Sequence, residues 1–300
     1  MNQPPNISVI VNITDHPVIE DLLAGLARQT MPLDSFELLI VDAEHSANVE
    51  NILQSGGVLH DSRLQVRFLK APKGGRASAN NLGAKEALGN LLIFLADDML
   101  PNAGFVEAHS SFHRDNPAAE IVGIGRVLFP EKLRAAHFPR WLEDSGTLFG
   151  HSFTAKPPHV PENYFFVGNS SIKKSFFYQA GGFDEEFPSD AWDDCEFALR
   201  AIHQGMCAKL VLEGTAIHEH TITLSDRYHK MYCAGKTAPI LERKYSGPRA
   251  WEPVISYPWW RHRWAAIKAA CNSLVKNRNQ NIEAYYCHRM NEAFSRGYRG

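Results

Sequence analysis

Short apolar runs alternate with amphipathic stretches along the first hundred residues. Ile7 to Ile13 and Phe36 to Val41 are apolar runs of strand length, and between them Val18, Leu22, Leu23 and Leu26 recur at helical spacing within Pro17 to Gln29. This pattern predicts a βαβ unit. It continues with a helix over Ala47 to Gln54, a strand at Leu64 to Leu69, a Gly-rich loop at Lys73-Gly74-Gly75, a helix over Ala77 to Leu88 and the apolar run Leu91 to Ala96 that ends at Asp97. Parallel strands joined by helices imply an open α/β sheet, which takes its ligands at the carboxyl ends of its strands. Asp42 and the pair Asp97-Asp98 stand at such ends.

The second half is less regular. A helix is expected over Ala103 to Arg114 and a strand over Glu120 to Phe129, followed by an irregular excursion from Glu131 to Pro161 rich in proline and aromatic residues. Phe165 to Ile172 reads as a strand. A short helix, the loop Gly181-Gly182-Phe183-Asp184 and a helix over Ala191 to Gln204 come next, then short strands at Lys209 to Leu212 and Thr215 to His218. Leu224 to Lys244 is helical, as is the region beyond Pro258, where Trp260, Trp264, Ile267, Cys271 and Leu274 share one helical stripe. That stripe fits packing on the rest of the chain or pairing with another subunit, the favoured readings, and also membrane-surface contact.

Composition narrows the classes. The 300 residues carry 31 Lys/Arg against 33 Asp/Glu, so no overall field argues for nucleic acid. Charge is uneven: residues 258 to 300 hold eight Lys/Arg against Glu283 and Glu292, which leaves the preceding 257 residues net acidic. The five cysteines, at 195, 207, 233, 271 and 287, form no CxxC pair and signal neither a disulfide framework nor a zinc ribbon. Met1 to Asn6 is polar, and no apolar run is long enough to span a bilayer. The expectation is a cytoplasmic protein, peripheral at most to the inner face of the plasma membrane.

The Asp97-Asp98 pair carries the first chemistry. Two adjacent carboxylates at a strand end are relieved by a shifted pKa, a basic partner or a divalent cation, and hard cations fill most of their positions with water and substrate phosphate. Asp42 is placed to accept hydrogen bonds from a base or ribose. Asp193, Asp194 and Glu196 open a helix with acids in its first turn, for which dipole complementarity and a Glu196 to Arg200 pair are a sufficient local reason. His218 and His220 share one face at a strand end, where an imidazole gains value from a nearby metal. His109 and His113 have metal-compatible spacing but no third ligand, and read as a solvated helix face. Gly123-Ile124-Gly125 lacks the third glycine of a dinucleotide fingerprint.

Taken in order, these segments resemble the family 2 glycosyltransferases of bacterial type, over roughly residues 7 to 245. Val41-Asp42 looks like the family's nucleotide-binding aspartate, Gly75 to Gly83 like its ARNLG-type loop, and FLADDMLP like the FLDDDxxP form of its DxD motif. GNSSIKK, GGFDEEFP and WDDCEFALR are similar to its acceptor-side block. Departures are Asn12-Ile13-Thr14 in place of Pro-Thr-Tyr, Ala96 in place of the first aspartate, Asn80 in place of arginine and Ala43 in place of a second aspartate.

The resemblance implies the GT-A fold, a Rossmann-like, mostly parallel sheet flanked by helices. It divides the chain into residues 1–250 (nucleotide half 1–102, acceptor half 103–250) and a helical extension 251–300. It implies an inverting transferase using Mn2+ or Mg2+, a UDP-, GDP- or dTDP-linked sugar donor, and a glycan, lipid-linked or peptide acceptor in polysaccharide synthesis. Asp98 and His218 would hold the metal. Asp42, Asp97, Asn81 and Arg76, or Lys73, would contact the donor. Asp194 would be the general base, with Asp193 its competitor, and Trp192, Asp193, Asn169 and Gly182 would line the acceptor side. The rivals are a noncatalytic nucleotide-sugar or glycan-binding module of the same fold, favoured by Ala96, and a sugar nucleotidyltransferase. The latter normally shows a Gly-rich basic signature after its first strand, where Thr14-Asp15-His16-Pro17 stands here.

Overall fold

Buried strands of continuous apolar sequence form the middle of the sheet. The computed structural model describes residues 6–13, 18–43, 63–71, 75–146, 148, 164–187, 192–245, 252–274 and 278–300. The expected helix at 47 to 54, Lys73, Thr14-Asp15-His16-Pro17, Ala191 and most of the second half of the 131 to 161 excursion lie outside them. β1 (Ile7–Ile13) and β2 (Phe36–Asp42) are buried along their whole length, as strands covered on both faces must be. β1 pairs in parallel with β2 and with β4 (Leu91–Ala96), and β3 (Gln65–Lys70) adds in parallel beyond β2. Their registers set Ile13 beside Asp42, Asp42 beside Lys70 and Asn12 beside Ala96, which lines up the carboxyl ends.

The sheet is mixed, with order β3-β2-β1-β4-β7-β6-β8-β5. β7 (Asn169–Lys173) runs antiparallel between β4 and β6 (Ile121–Leu128), and β8 (Cys207–His218) lies parallel to β6. The two short strands expected at 209 to 212 and 215 to 218 are one strand. A register shift carries β8 past the break: Gly125 pairs with Val211, and Val127 with Ala216. A three-residue strand, β5 (Met99–Pro101), returns antiparallel to β8 with Met99 opposite His218.

Helices cover the sheet. α1 (Ile19–Ala27) buries Ile19, Leu22, Leu23 and Leu26. α2 (Gly75–Glu86) packs close because Gly83 has no side chain: a Cβ there would stand 2.5 Å from Ile10 Cγ2. α3 (Phe105–Asp115) is followed by two short helices, α4 (Glu131–Arg134) and α5 (His137–Asp144), in the stretch expected to be irregular. A phenylalanine cluster fixes α6 (Lys174–Gln179) and α7 (Asp193–Ile202). Phe94 on β4 meets Phe183 at 5.4 Å between ring centroids, Phe177 meets Phe183 at 5.2 Å, and Phe165 meets Phe197 at 4.9 Å.

The chain divides into two compact units, residues 1–189 with 193–220, and residues 190–192 with 221–300. α8 (Leu224–Lys244), placed with the first 250 residues by the resemblance, packs within the second unit. It opens with a capping box between Thr223 and Asp226 and runs against α11 (Arg278–Arg299). The reason is steric. Gly235 lies under the Phe294 carbonyl and Gly297 under that of Tyr232, too close for any side chain, so the two helices meet backbone to backbone. α9 (Glu252–Ile255) and α10 (Trp259–Ser273) complete this unit. Among the described residues no helix is long and apolar enough to cross a membrane.

Candidate functional site

The turn between β4 and β5 holds Asp97 and Asp98, and the antiparallel register of β5 with β8 delivers His218 to it. His218 Nε2 lies 3.2 Å from Asp98 Oδ2, and the Glu219 amide donates to the Asp98 carbonyl at 3.1 Å. The imidazole is oriented from behind by Nδ1, 3.2 Å from the His220 carbonyl, and by the edge-on Phe129 ring at 5.3 Å. Asp42 at the end of β2 and Asp97 just past β4, with β1 between these strands, are buried, while the Asp98 side chain keeps 16% exposure. Strand register, not proximity in sequence, thus brings Asp98 and His218 together.

This donor set fits a hard divalent cation. A carbonyl can only accept, so His218 Nδ1 donates to His220 and a neutral ring then presents a bare Nε2 lone pair to the Asp98 carboxylate. Two acceptors 3.2 Å apart are compatible only if a proton or a metal lies with them. Adjacent ligand positions around an octahedral ion with bonds of about 2.1 Å are about 3 Å apart, close to the spacing found. Among the described residues no group of three or more His, Cys, Asp or Glu side chains gathers at one point. Two protein ligands are the normal complement where phosphate oxygens supply the others.

The second half of the site is the start of α7. Asp193 is buried and takes Arg76 on both oxygens, Nε donating to Oδ2 at 2.9 Å and Nη2 to Oδ1. Arg76 Nη2 also lies 3.9 Å from Asp194 Oδ2. Arg76, expected on the donor, is thus bound to the acidic pair expected on the acceptor side. Asp194 is part-exposed, its Oδ1 accepting the Cys195 amide at 2.9 Å. Burial, and then the nearby Asp194 carboxylate, hold the Tyr164 phenol well above its ordinary range, so it stays a neutral hydroxyl.

Trp192, before this pair, has φ of 79°, a left-handed conformation that a bulky residue adopts only under constraint. Its indole N–H donates to the Ala234 carbonyl at 2.9 Å and its ring packs on Phe294. The indole is half-buried and packs within the helical unit.

Three other expected site residues have structural partners. Asn81 spends its amide on the loop at 183 to 185, donating to the Phe183 carbonyl at 2.9 Å and to Glu185 at 2.8 Å and accepting the Phe183 amide at 2.9 Å. Asn169 is fully buried and ties β7 to β6 and β8 through the carbonyls of Arg126 and Gly214. Gly182 has φ of +66° and its carbonyl accepts Arg200 Nη2 at 2.6 Å. Arg200 was readable only as a local partner of Glu196, which it does bind at 2.6 Å, but it also holds the Ala180 carbonyl and so fixes the glycine loop.

His109 and His113 are buried, contrary to the solvated face expected of them. Ser171 Oγ bridges them, 2.8 Å from His109 Nδ1 and 2.9 Å from His113 Nε2, and His109 Nε2 faces Asn169 Oδ1 at 3.1 Å. The glycines around them are the space they occupy: a Cβ on Gly123 would lie 2.5 Å from Ser171 Oγ, one on Gly214 2.8 Å from His109 Nε2, and one on Gly125 would overlap Asn169. Burial pushes His109 down to about 4; burial, then Lys173 and His109, push His113 down to about 3.

Residues 8–178 match the family model described as "Glycosyl transferase family 2". The chain is similar to validoxylamine A glucosyltransferase of Streptomyces hygroscopicus subsp. jinggangensis, 26% identical over 243 residues covering 72% of this chain and 57% of that protein. It is also similar to the chondroitin synthase of Escherichia coli, at 22% identity over 88% of this chain and 40% of the relative. It thus spans about half the length of these curated relatives. Among solved structures, the mannosyltransferase PcManGT from Pyrobaculum calidifontis, in complex with GDP-Man and Mn2+, superposes with a TM-score of 0.64 at 14% identity, covering 98% of this chain and 87% of that one. S. aureus TarS 1-349 in complex with UDP does so with a TM-score of 0.56 at 15% identity, covering 98% and 90%. The fold is that of the GT-A glycosyltransferases, and with the family match spanning most of the first unit, the chain belongs to glycosyl transferase family 2.

Proposed function

We propose that the protein transfers a sugar from a nucleotide-diphosphate donor to an acceptor hydroxyl with inversion, in a reaction that depends on Mn2+ or Mg2+. The observation that carries this reading is the Asp98 to His218 contact at 3.2 Å, built by strand register, with Asp42 and Asp97 buried at the carboxyl side of the same sheet. Asp42 accepts hydrogen bonds from the base and Asp97 from the ribose. Asp98 and His218 would hold the cation, which would supply the positive charge that neutralises the leaving diphosphate. The relatives' names support the donor class: GDP-Man, UDP and UDP-GlcNAc accompany the structural neighbours.

Asp194 is the general base. Asp193 is buried and closed off by two hydrogen bonds from Arg76, whereas the Asp194 side chain keeps 16% exposure, so the former positions and the latter accepts the acceptor's proton. Attack opposite the leaving group gives inversion. Arg76 acts as a positioning residue for the pair, and Arg200 holds the glycine loop packed beside α7. Glycan, lipid-linked and peptide acceptors all fit this chemistry.

Ala96, where an aspartate is usual, favours one rival: a binding module without turnover. Thermal shifts with UDP, GDP, CDP and dTDP, each with and without Mn2+, test the donor site. A ligand at about 100 times its Kd adds about 2.7 kcal/mol. A metal-dependent shift with one base, and sugar release from the matching nucleotide sugar, are expected. A shift without release or transfer to any acceptor supports the binding module; no shift with any nucleotide overturns the proposal.

A further inference from the structure

α10 has two apolar faces, and only one is packed. His262, Ala266 and Ala269 are buried, the helix lies along α11, and His262 Nε2 sits 2.9 Å from the Val254 carbonyl. On the far side Trp260, Trp264, Ile267 and Leu274 are 49%, 66%, 44% and 87% exposed, and Tyr257, just before the helix, is 49% exposed. At about 100° per residue Trp260, Trp264, Ile267, Cys271 and Leu274 fall within an arc of about 80°, opposite the alanine face. Among the described residues the stripe seen in the sequence is therefore open, not folded onto a neighbouring helix.

Charge says what covers it. Arg261 and Lys268 border one edge of the stripe and Arg263 the other, and between Glu252 and Glu283 the chain has no acidic residue but five basic ones, Arg261, Arg263, Lys268, Lys276 and Arg278. A second copy meeting this face would bring like charges together, which costs energy. Indole rings with cations along both edges suit an interface whose interior is apolar and whose surface is anionic. The 15-residue helix is too short to cross a bilayer and long enough to lie on one.

We propose that the Trp260 to Leu274 face of α10 docks on the surface of a bilayer containing anionic phospholipid. This rests on the helical unit alone and is independent of the proposed transferase activity. The full chain is floated with vesicles of phosphatidylcholine, or of phosphatidylcholine with about one-third phosphatidylglycerol. Binding to the mixed vesicles at low salt and release at high salt are expected. Trp260→Ala/Trp264→Ala should no longer float. Arg261→Gln/Arg263→Gln/Lys268→Gln should bind the mixed vesicles roughly a hundredfold more weakly, from about a fivefold effect per cation. All five side chains lie on the open stripe or its borders, so thermal melting without lipid checks that both variants fold. Failure of the parent chain to float, equal flotation of the tryptophan variant, or a lipid-free dimer that this variant turns into monomer would each overturn the proposal, the last assigning the face to a second copy.

Discussion

Glu37 and Asp42 stand at opposite ends of one strand, and their surroundings differ in kind. At the amino end Glu37 is fully buried and answered on every side: Ser8 Oγ donates at 2.6 Å, the Leu88 amide at 2.5 Å and Arg67 at 3.3 Å, with Arg67 also bound to Glu86. At the carboxyl end of the sheet Asp98 faces a histidine whose other nitrogen is already engaged, and at the start of α7 the Asp194 side chain keeps 16% exposure. A closed network holds the sheet together, while a part-open group of acids is what a site for cation and substrate requires.

Substitutions at the two ends should separate these roles. Asp194→Asn should reduce transfer by about a hundredfold to ten-thousandfold while the nucleotide thermal shift remains, and unchanged turnover would remove Asp194 as the base. Glu37→Ala should do the reverse, costing about 2–4 kcal/mol in urea unfolding because it leaves the Ser8 hydroxyl and the Leu88 amide without their acceptor and removes one of the two carboxylates on Arg67, with nucleotide affinity of the folded molecules unchanged. A Glu37 variant of normal stability would erase the contrast between the ends.

pH gives a third lever. His109 and His113 are neutral when folded and bind protons more readily when unfolded, so their contribution to stability is whole above about pH 6.5. It is lost as pH falls from there toward about 4 for His109 and about 3 for His113. Unfolding free energies from urea titrations at pH 7 and 4.5 should differ by an amount on the order of a few kcal/mol, and His109→Gln should flatten the profile. Asn81→Ala should have the smallest effect, about 1–2 kcal/mol from the loosened 183 to 185 loop, with donor affinity preserved; a large loss of nucleotide binding would restore Asn81 to the donor site.

What was readable in the sequence follows from range. β1, β2 and β4 are continuous apolar runs, and α8 has its cap written in Thr223 and Asp226, so local pattern sufficed. β5 has three residues, too few for any period, yet it is what brings Asp98 to His218. Asn81 and Asn169 looked like ligand contacts because they are polar residues in a matching motif, but their partners lie 102 and 45 residues away. His109 had a readable sign: it follows Phe105 by one helical turn and so shares the buried face of α3. The left-handed Trp192 had none, since constraint from the helical unit sets it.

The central claim is that Asp98 and His218 hold the cation that carries the donor diphosphate. Manganese binding followed by electron paramagnetic resonance, in the presence of whichever nucleoside diphosphate gives the thermal shift, tests it directly. The account expects one bound ion in the parent chain, and binding weakened about tenfold or more in both Asp98→Ala and His218→Ala. Manganese bound equally well by either variant, with its fold intact, would contradict it.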